Sequence, residues 1–310
     1  MDFLSRHKTE CSWLAPEDIK YTRPLVNVAG RLDSDPTAGG ERSSFEQTVI
    51  WLLKVLATIA LLRIAVMWKK GSLTKVIVMD AVAAMAVKPD LLVVHGAYAN
   101  EIRSLVRGTV AFTLARWLEA NAYRRARQIV AVDLILQQRV WNLNHLRAAL
   151  VPNPVRLDMF TIIDKDVAKT KLGLPSDRLL VAFMGMTPEK YAEQIPSWRK
   201  QLENLGFLTL RLNRGSIPYE RMPLYYNAAD IVVSMSTFPA YQRAAIESLA
   251  CGTPVVSNNS PLAYFAYPED LVETIRTFRS HESRQQMRNR VMRFDENAIC
   301  LRLLNLLMGK

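Results

Sequence analysis

One carboxylate in the second half of the chain has a setting that calls for chemistry. Glu247 lies in the run Ala244-Ala245-Ile246-Glu247-Ser248-Leu249-Ala250, whose other members are apolar or small. An unpaired carboxylate on a packed helix face is costly, so Glu247 must reach either solvent or a polar partner. Solvent is the ordinary outcome for Glu, while a polar partner would make it a binding group. A second candidate is His95, which ends the run Lys88-Pro89-Asp90-Leu91-Leu92-Val93-Val94-His95-Gly96. That run reads as a strand closing in a His-Gly turn, and ligands of open α/β sheets bind outside the carboxyl ends of strands. A lone histidine there is either a ligand contact or a satisfied structural residue. The cations Arg124, Arg125 and Arg127 read as a solvated helix end, favourable to the helix dipole.

The elements that must position Glu247 are legible around it. The stretch Ile217–Asn259 reads as a helix over Glu220–Ala229, a buried strand over Asp230–Met235 and a loop through Pro239. A helix over Tyr241–Cys251 and a strand over Pro254–Ser257 follow. Ile231-Val232-Val233 and Val255-Val256 are β-branched without polar alternation, as parallel strands covered on both faces require. Gly252 supplies the left-handed cap of the second helix, and Pro254 prevents its continuation.

Upstream, Pro24–Ala29 is the first strand candidate, followed by a polar loop, Arg31–Gly40, that ends in Gly39-Gly40. Ser43-Ser44-Phe45-Glu46 then fits a capping box with Ser43 as N-cap. The helix that follows, Thr48–Trp68, is almost wholly apolar and approaches the length of a membrane span. Lys54 and Arg63 would each cost about 2.5–3.5 kcal/mol near the centre of an inserted helix. They point to opposite faces, so neither a clean span nor a clean amphipathic face results. The first reading is a core helix packed on the N-terminal sheet; the second is an interfacial membrane helix. Further strands are expected over Lys75–Met79, Gln128–Val132 and Leu179–Met184. Helices are expected over Thr113–Ala126 and Glu282–Met308.

Composition bounds the rest. The chain has 310 residues, enough for two modest domains, and half of them are hydrophobic. Lysine and arginine number 40 against 29 acids, a net +11 that fits attraction to anionic membranes, nucleotides or phosphorylated substrates. Residues 1–150 hold 20 basic and 13 acidic residues, +7, so the N-terminal half is the more basic. Zinc-ligand spacing, a basic zipper and aromatic RNA-recognition motifs are all absent from the sequence, which argues against nucleic acid as partner. Cys11, Cys251 and Cys300 are odd in number and widely separated, which fits a reducing, cytoplasmic setting. The N-terminal residues lack the apolar region of a signal peptide.

The stretch around Glu247 resembles the nucleotide-sugar site of the GT4-like glycosyltransferases of GT-B fold. The family pattern "YYNAAD", a hydrophobic strand ending in Ser, "EGFG" and "EAMACGTPVV" is matched by Tyr225–Asp230, Ser236 and Glu247–Val256. In the family the Glu at the position of Glu247 binds the ribose diol of the donor nucleotide, and the resemblance carries the adjacent Ser248 into the donor site. Other segments are similar too. Gly39 and Gly40 match a glycine pair that faces the donor phosphates and sugar. The segment ending in His95 matches "PDVVH", with its His at the cleft, which makes His95 the catalytic candidate. Val151–Phe160 is similar to the interdomain linker "iPNGVD…F".

Two departures concern the donor. The family's paired glutamates lie eight positions apart, and the position eight before Glu247 is Pro239. The family also places Arg and Lys after a strand-ending Gly to neutralise the donor diphosphate. Here Met186 stands for the Arg, while Lys190 matches the Lys with a one-residue gap. Arg243, in the first turn of the helix that carries Glu247, is a substitute cation by position, outside the family's pattern.

The resemblance implies an α/β GT-B fold, two Rossmann-like domains with parallel sheets facing across a cleft. Residues 1–152 would be the acceptor-side domain, 153–281 the nucleotide-sugar domain, and 282–310 a C-terminal helix packing back on the first. It implies a retaining transfer of sugar from a nucleotide sugar to a cell-envelope glycan or lipid-linked acceptor. The alternative is a glycosyltransferase-like subunit that binds but does not catalyse. Donor binding would fall to Glu247, Lys190, Arg243, Gly39, Gly40 and Ser248. No metal or other cofactor is expected, because a helix N-terminus and a lysine can stabilise a diphosphate leaving group. The basic N-terminal half and the apolar helix add an anionic membrane surface as partner, at the inner face of a membrane.

Overall fold

The computed structural model describes residues 44–69, 75–79, 81–105, 109–184, 191, 193–212, 217–235, 243–258 and 260–309. The expected strand Pro24–Ala29, the pair Gly39-Gly40, Lys190 and Pro239 lie outside these residues. The chain divides into two compact units, Met1–Val151 with Arg302–Lys310, and Pro152–Leu301.

The first unit has a parallel sheet in the order β1 (Ile77–Val78), β2 (Leu91–Val94), β3 (Gln128–Ala131), β4 (Ala149–Leu150). All four residues of β2 are buried, the signature of a strand covered on both faces. The long helix α1 (Ser44–Lys69) corrects one expectation. Its inward residues Trp51 and Val55 join a cluster with Val82, Ile102, Ala111, Ala115 and Leu118, which belong to helices rather than to the sheet. These helices are α2 (Ala81–Ala86), α3 (Tyr98–Leu105) and α4 (Thr109–Arg125). On the other face Leu53 and Leu56 are 61% and 54% exposed. Arg63 of α1 donates Nε to the Ala86 carbonyl at 3.3 Å, and Arg125 of α4 donates Nε to that of Ala84 at 3.2 Å. Both cations thereby cap the carboxyl end of α2. No helix among the described residues is long and apolar enough to cross a membrane. Helix α5 (Leu134–Asn144) follows β3, with Asp133 as its N-cap accepting from the Leu136 amide at 2.8 Å.

The second unit opens with α6 (Lys165–Lys171). Its sheet is also parallel, ordered β6 (Leu208–Leu212), β5 (Leu180–Met184), β7 (Ile231–Val233), β8 (Val255–Ser257), β9 (Tyr264–Phe265). Strand residues alternate between two cores. Leu180, Ala182, Met184, Val232 and Val255 face one, while Val181, Phe183, Ile231, Val233 and Val256 face the other. After β5 the chain runs through α7 (Gln194–Asn204) to β6 on one side, then returns through α8 (Met222–Ala228) to β7 on the other. The order therefore reverses between β5 and β7, and their carboxyl ends mark the switch point at which open α/β sheets hold ligands. From those ends the chain continues into residues 185–190 and 236–242.

Two expected helices differ. The one over Glu220–Ala229 starts as a single 3-10 turn, Tyr219–Arg221, and becomes α8 at Met222, where Pro223 sits in the first turn and needs no amide donor. The single helix Glu282–Met308 is broken into α11 (Arg284–Asn289), a 3-10 turn (Met292–Phe294) and α12 (Glu296–Met308); α10 (Leu271–Thr277) precedes them. The break has a tertiary cause. Val155 donates its amide to the Phe294 carbonyl at 2.9 Å and accepts from the Glu296 amide at 3.1 Å, which holds Asp295 extended. Asp295 Oδ1 then accepts from the amides of Asn297 and Ala298 at 3.0 and 3.2 Å, starting the helix again.

Candidate functional site

Helix α9 (Arg243–Ala250) follows the carboxyl end of β7 and carries Glu247 on its second turn. Gly252 ends it with φ +71, and a Cβ there would stand 2.6 Å from Cβ of Arg284, so conformation and space both demand glycine. Arg284 and Arg288 of α11 donate to the last carbonyls of α9 and its turn, at Cys251 and Ala250, 2.8 and 2.6 Å away. The helix is thereby held rigidly from its carboxyl end.

Glu247 is 5% exposed, and the choice between solvent and a polar partner falls to partners. Tyr219 donates its hydroxyl to Oε1 at 2.7 Å and Tyr226 donates to Oε2 at 2.9 Å. Arg243, four residues back on the same helix face, brings Nε within 3.2 Å of Oε1. It also donates Nη2 to the Tyr219 hydroxyl at 2.9 Å and lies over that ring, 5.1 Å from its centroid. Phe160 packs edge-on against both tyrosines.

Burial pushes the Glu247 carboxyl above its usual range, while the two hydroxyls and Arg243 pull it back down. Burial and the adjacent carboxylate raise both tyrosine hydroxyls well above the ordinary phenol value, so they remain donors. The result is an acceptor pair held in place, with a cation at its outer edge. Such a group can take the two hydroxyls of a vicinal diol, and the cation can meet an anion attached to that diol.

Of the residues singled out from sequence, Glu247 and Arg243 are brought together. Ser248 is turned away: it is fully buried, and its hydroxyl donates to the Thr253 carbonyl at 2.9 Å, closing the helix–strand turn. Lys190, Gly39 and Gly40 lie outside the described residues. The sequence does not single out Tyr219 and Tyr226 as site residues, since a tyrosine in an amphipathic stretch carries no mark of its partner.

His95 belongs to the first unit, at the carboxyl end of β2, and is exposed. It borders a cavity of about 240 Å³ with Met79, Tyr98, Glu119 and Tyr123. Glu119 is 0% exposed and fully committed. Arg139 grips it with Nε to Oε1 at 2.6 Å and Nη2 to Oε2 at 2.7 Å, and the Tyr123 hydroxyl donates to Oε1 at 2.6 Å. The cavity wall is thus a neutralised carboxylate that sequence reading did not assign. Glu119 and Tyr123 share a helix face four residues apart, a signal that was available; Arg139 lies on another helix. Among the described residues no group of three or more His, Cys, Asp or Glu side chains is placed to hold a metal ion.

The two parallel sheets, one in each unit, are shared with known structures. Sucrose-phosphate synthase from Thermosynechococcus elongatus superimposes with TM-score 0.61 at 17% identity, covering 83% of this chain and 78% of that one. The Anabaena protein HepE in complex with UDP gives TM-score 0.57 at 15% identity, covering 74% of this chain and 76% of that one. The chain has the GT-B fold. Sequence relatives point the same way. D-inositol 3-phosphate glycosyltransferase of Mycobacteroides abscessus is 31% identical over 167 residues, 45% of this chain and 36% of the relative. The chain thus matches little more than a third of that relative's length. No family model matches it. The helix that bears Glu247 lies in the second unit, Pro152–Leu301.

Proposed function

We propose that the protein is a retaining glycosyltransferase that moves a sugar from a nucleotide-sugar donor to a cell-envelope glycan or lipid-linked acceptor. The observation that carries this reading is Glu247, a buried carboxylate presented on α9 beside the switch point, with the cation Arg243 at its edge. In this reading Glu247 takes the donor ribose diol. The first turn of α9, Arg243 and Lys190 meet the diphosphate, whose charge grows as the sugar leaves, so the transfer needs no metal ion. The sequence likeness assigns Gly39 and Gly40 to the donor phosphates and sugar, and Ser248 acts from behind by holding the turn that fixes α9. His95 is the catalytic candidate of the first unit. The UDP bound by HepE and the glycosyl transfer named for the mycobacterial relative support the donor class.

A second reading has its own observation. Pro239 occupies the position of the family's first glutamate, so the sugar loses a carboxylate contact, and a chain that binds donor without transferring it fits that change. A panel of nucleotide sugars, each incubated with the protein and lipid-linked or glycan acceptors, separates the two. Acceptor-dependent release of nucleoside diphosphate with retained anomeric configuration supports transfer. Tight donor binding without release across the panel supports the binding subunit, and no donor binding at all removes both.

The same reading places the protein at the inner face of an anionic membrane. The net +7 of residues 1–150 and the outward apolar face of α1 at Leu53 and Leu56 support it.

A further inference from the structure

Glu247 is closed on two sides, and the sides differ in what it takes to open them. Tyr226 is 1% exposed, and its own carbonyl accepts from the Thr253 hydroxyl at 2.7 Å, so its bond to Oε2 is part of the core. Tyr219, by contrast, is half-buried on a single 3-10 turn, and the side chain of Arg243 is 58% exposed. These two outer groups are satisfied by Glu247 and by each other. The Tyr219 hydroxyl gives to Oε1 and receives from Arg243 Nη2, while Arg243 Nε faces the same Oε1. Its guanidinium lies over the Tyr219 ring, and of the ion pair Arg243 is the exposed member, with a side chain 58% exposed against 6% for Glu247.

We propose that Tyr219 and Arg243 form a latch over Glu247 that a nucleoside diphosphate must open in order to bind, an inference that rests on Glu247 being the ribose-binding carboxylate. The exchange is balanced in partners. One ribose hydroxyl replaces the Tyr219 hydroxyl at Oε1 and the other replaces Arg243 Nε there, the diphosphate replaces Glu247 as the anion facing Arg243, and the Tyr219 hydroxyl turns to water. Only the difference between these contacts remains as binding free energy. The apparent dissociation constant is the intrinsic one divided by the fraction of molecules with the latch open. The latch also selects. A nucleoside without phosphates takes Glu247 from Arg243 and returns no anion, so it binds far more weakly than the diphosphate.

Stopped-flow binding of UDP, GDP and ADP to the wild type and to Tyr219→Phe tests this. Phenylalanine keeps the ring against Phe160 and beneath Arg243, and removes only the hydroxyl. The variant is expected to bind its preferred diphosphate at least about tenfold more tightly, the lower end of the range for one hydrogen bond to a charged group. The gain should appear in the association rate, with dissociation unchanged, because the latch acts before the ligand is seated. Tyr219→Met, likewise without a hydroxyl, should behave the same and stands in if the phenylalanine variant folds poorly. Equal or weaker affinity in these variants, or a gain carried by slower dissociation, overturns the latch and leaves the proposed function standing. Binding of none of the three nucleotides by wild type or variants overturns the proposed function, and the latch with it.

Discussion

The hydroxyl of Tyr226 meets Oε2 of Glu247 at 2.9 Å in a part of the core where neither side chain has more than a trace of exposure. The two residues come from different helices, α8 and α9, and each makes the burial of the other tolerable. A buried carboxylate needs donors, and a buried phenol needs an acceptor. The bond therefore sets where α9 sits as well as where its carboxylate points.

Glu247→Ala should act twice. Nucleotide affinity, followed by calorimetric titration, is expected to fall by about 1.5–3 kcal/mol, the range for hydrogen bonds to a charged group. Urea unfolding should also show a loss of about 1–3 kcal/mol, because the Tyr226 hydroxyl is left buried without its acceptor. Unchanged affinity in a folded variant would remove Glu247 from the donor site.

Glu247→Gln should change how stability depends on pH. Burial raises the folded-state carboxyl above its unfolded value, so protonation favours the folded chain. That contribution is fully present below the unfolded value and is lost as pH rises through the folded one. The stability of the wild type relative to Glu247→Gln should thus be highest at acid pH and decline toward neutrality. Denaturant curves for both proteins between about pH 4 and 7 span the carboxylate range and check the sign.

In the first unit, Arg139→Met removes the bidentate partner of Glu119 and leaves a fully buried carboxylate with the Tyr123 hydroxyl and the Ala99 amide as its donors among the described residues. Breaking a buried pair in this way costs about 3–5 kcal/mol. A midpoint of urea unfolding equal to that of the wild type would show that the pair contributes nothing to stability.

Pro239→Glu places a carboxylate at the position of the first glutamate in the GT4-like pattern that the sequence resembles. Transfer rates measured across several nucleotide sugars are expected to rise selectively for one of them, since discrimination of a hydroxyl depends on a polar group that the wrong sugar leaves unpaired. An equal change for all sugars would count against a donor-sugar contact at this position.

Vesicle flotation addresses the basic first unit. Recovery with anionic vesicles should exceed that with neutral ones and fall with added salt, as screening shortens the reach of exposed charge. Leu53→Asp with Leu56→Asp should lower it further, because the two leucines are exposed on one side of α1. Equal recovery with both vesicle types would remove the basic surface as the cause.

Much of the fold is written in short-range pattern. Runs such as Ile231-Val232-Val233 and Val255-Val256 are β-branched and have no polar face, which favours strands covered on both sides, and the sheet carries them that way. Gly252 and Pro254 stop α9 by backbone chemistry alone. Four-residue spacing puts Arg243 and Glu247 on one helix face before any packing is known. Other features depend on residues far apart in sequence, and no local period encodes them. Tyr219 and Tyr226 reach Glu247 across 28 and 21 residues, and Arg139 reaches Glu119 across 20. The interruption at Asp295 exists because Val155, on a distant segment, takes the backbone bonds that a continuous helix would use. Helix α1 could pack on a sheet or on helices with the same apolar residues, because hydrophobic burial is non-directional and names no partner. The sequence by itself determined most of the strands and helices and marked Glu247 as a carboxylate that must be satisfied. The tertiary structure decided which groups satisfy it, since a buried charge accepts any donor that the packing brings within reach.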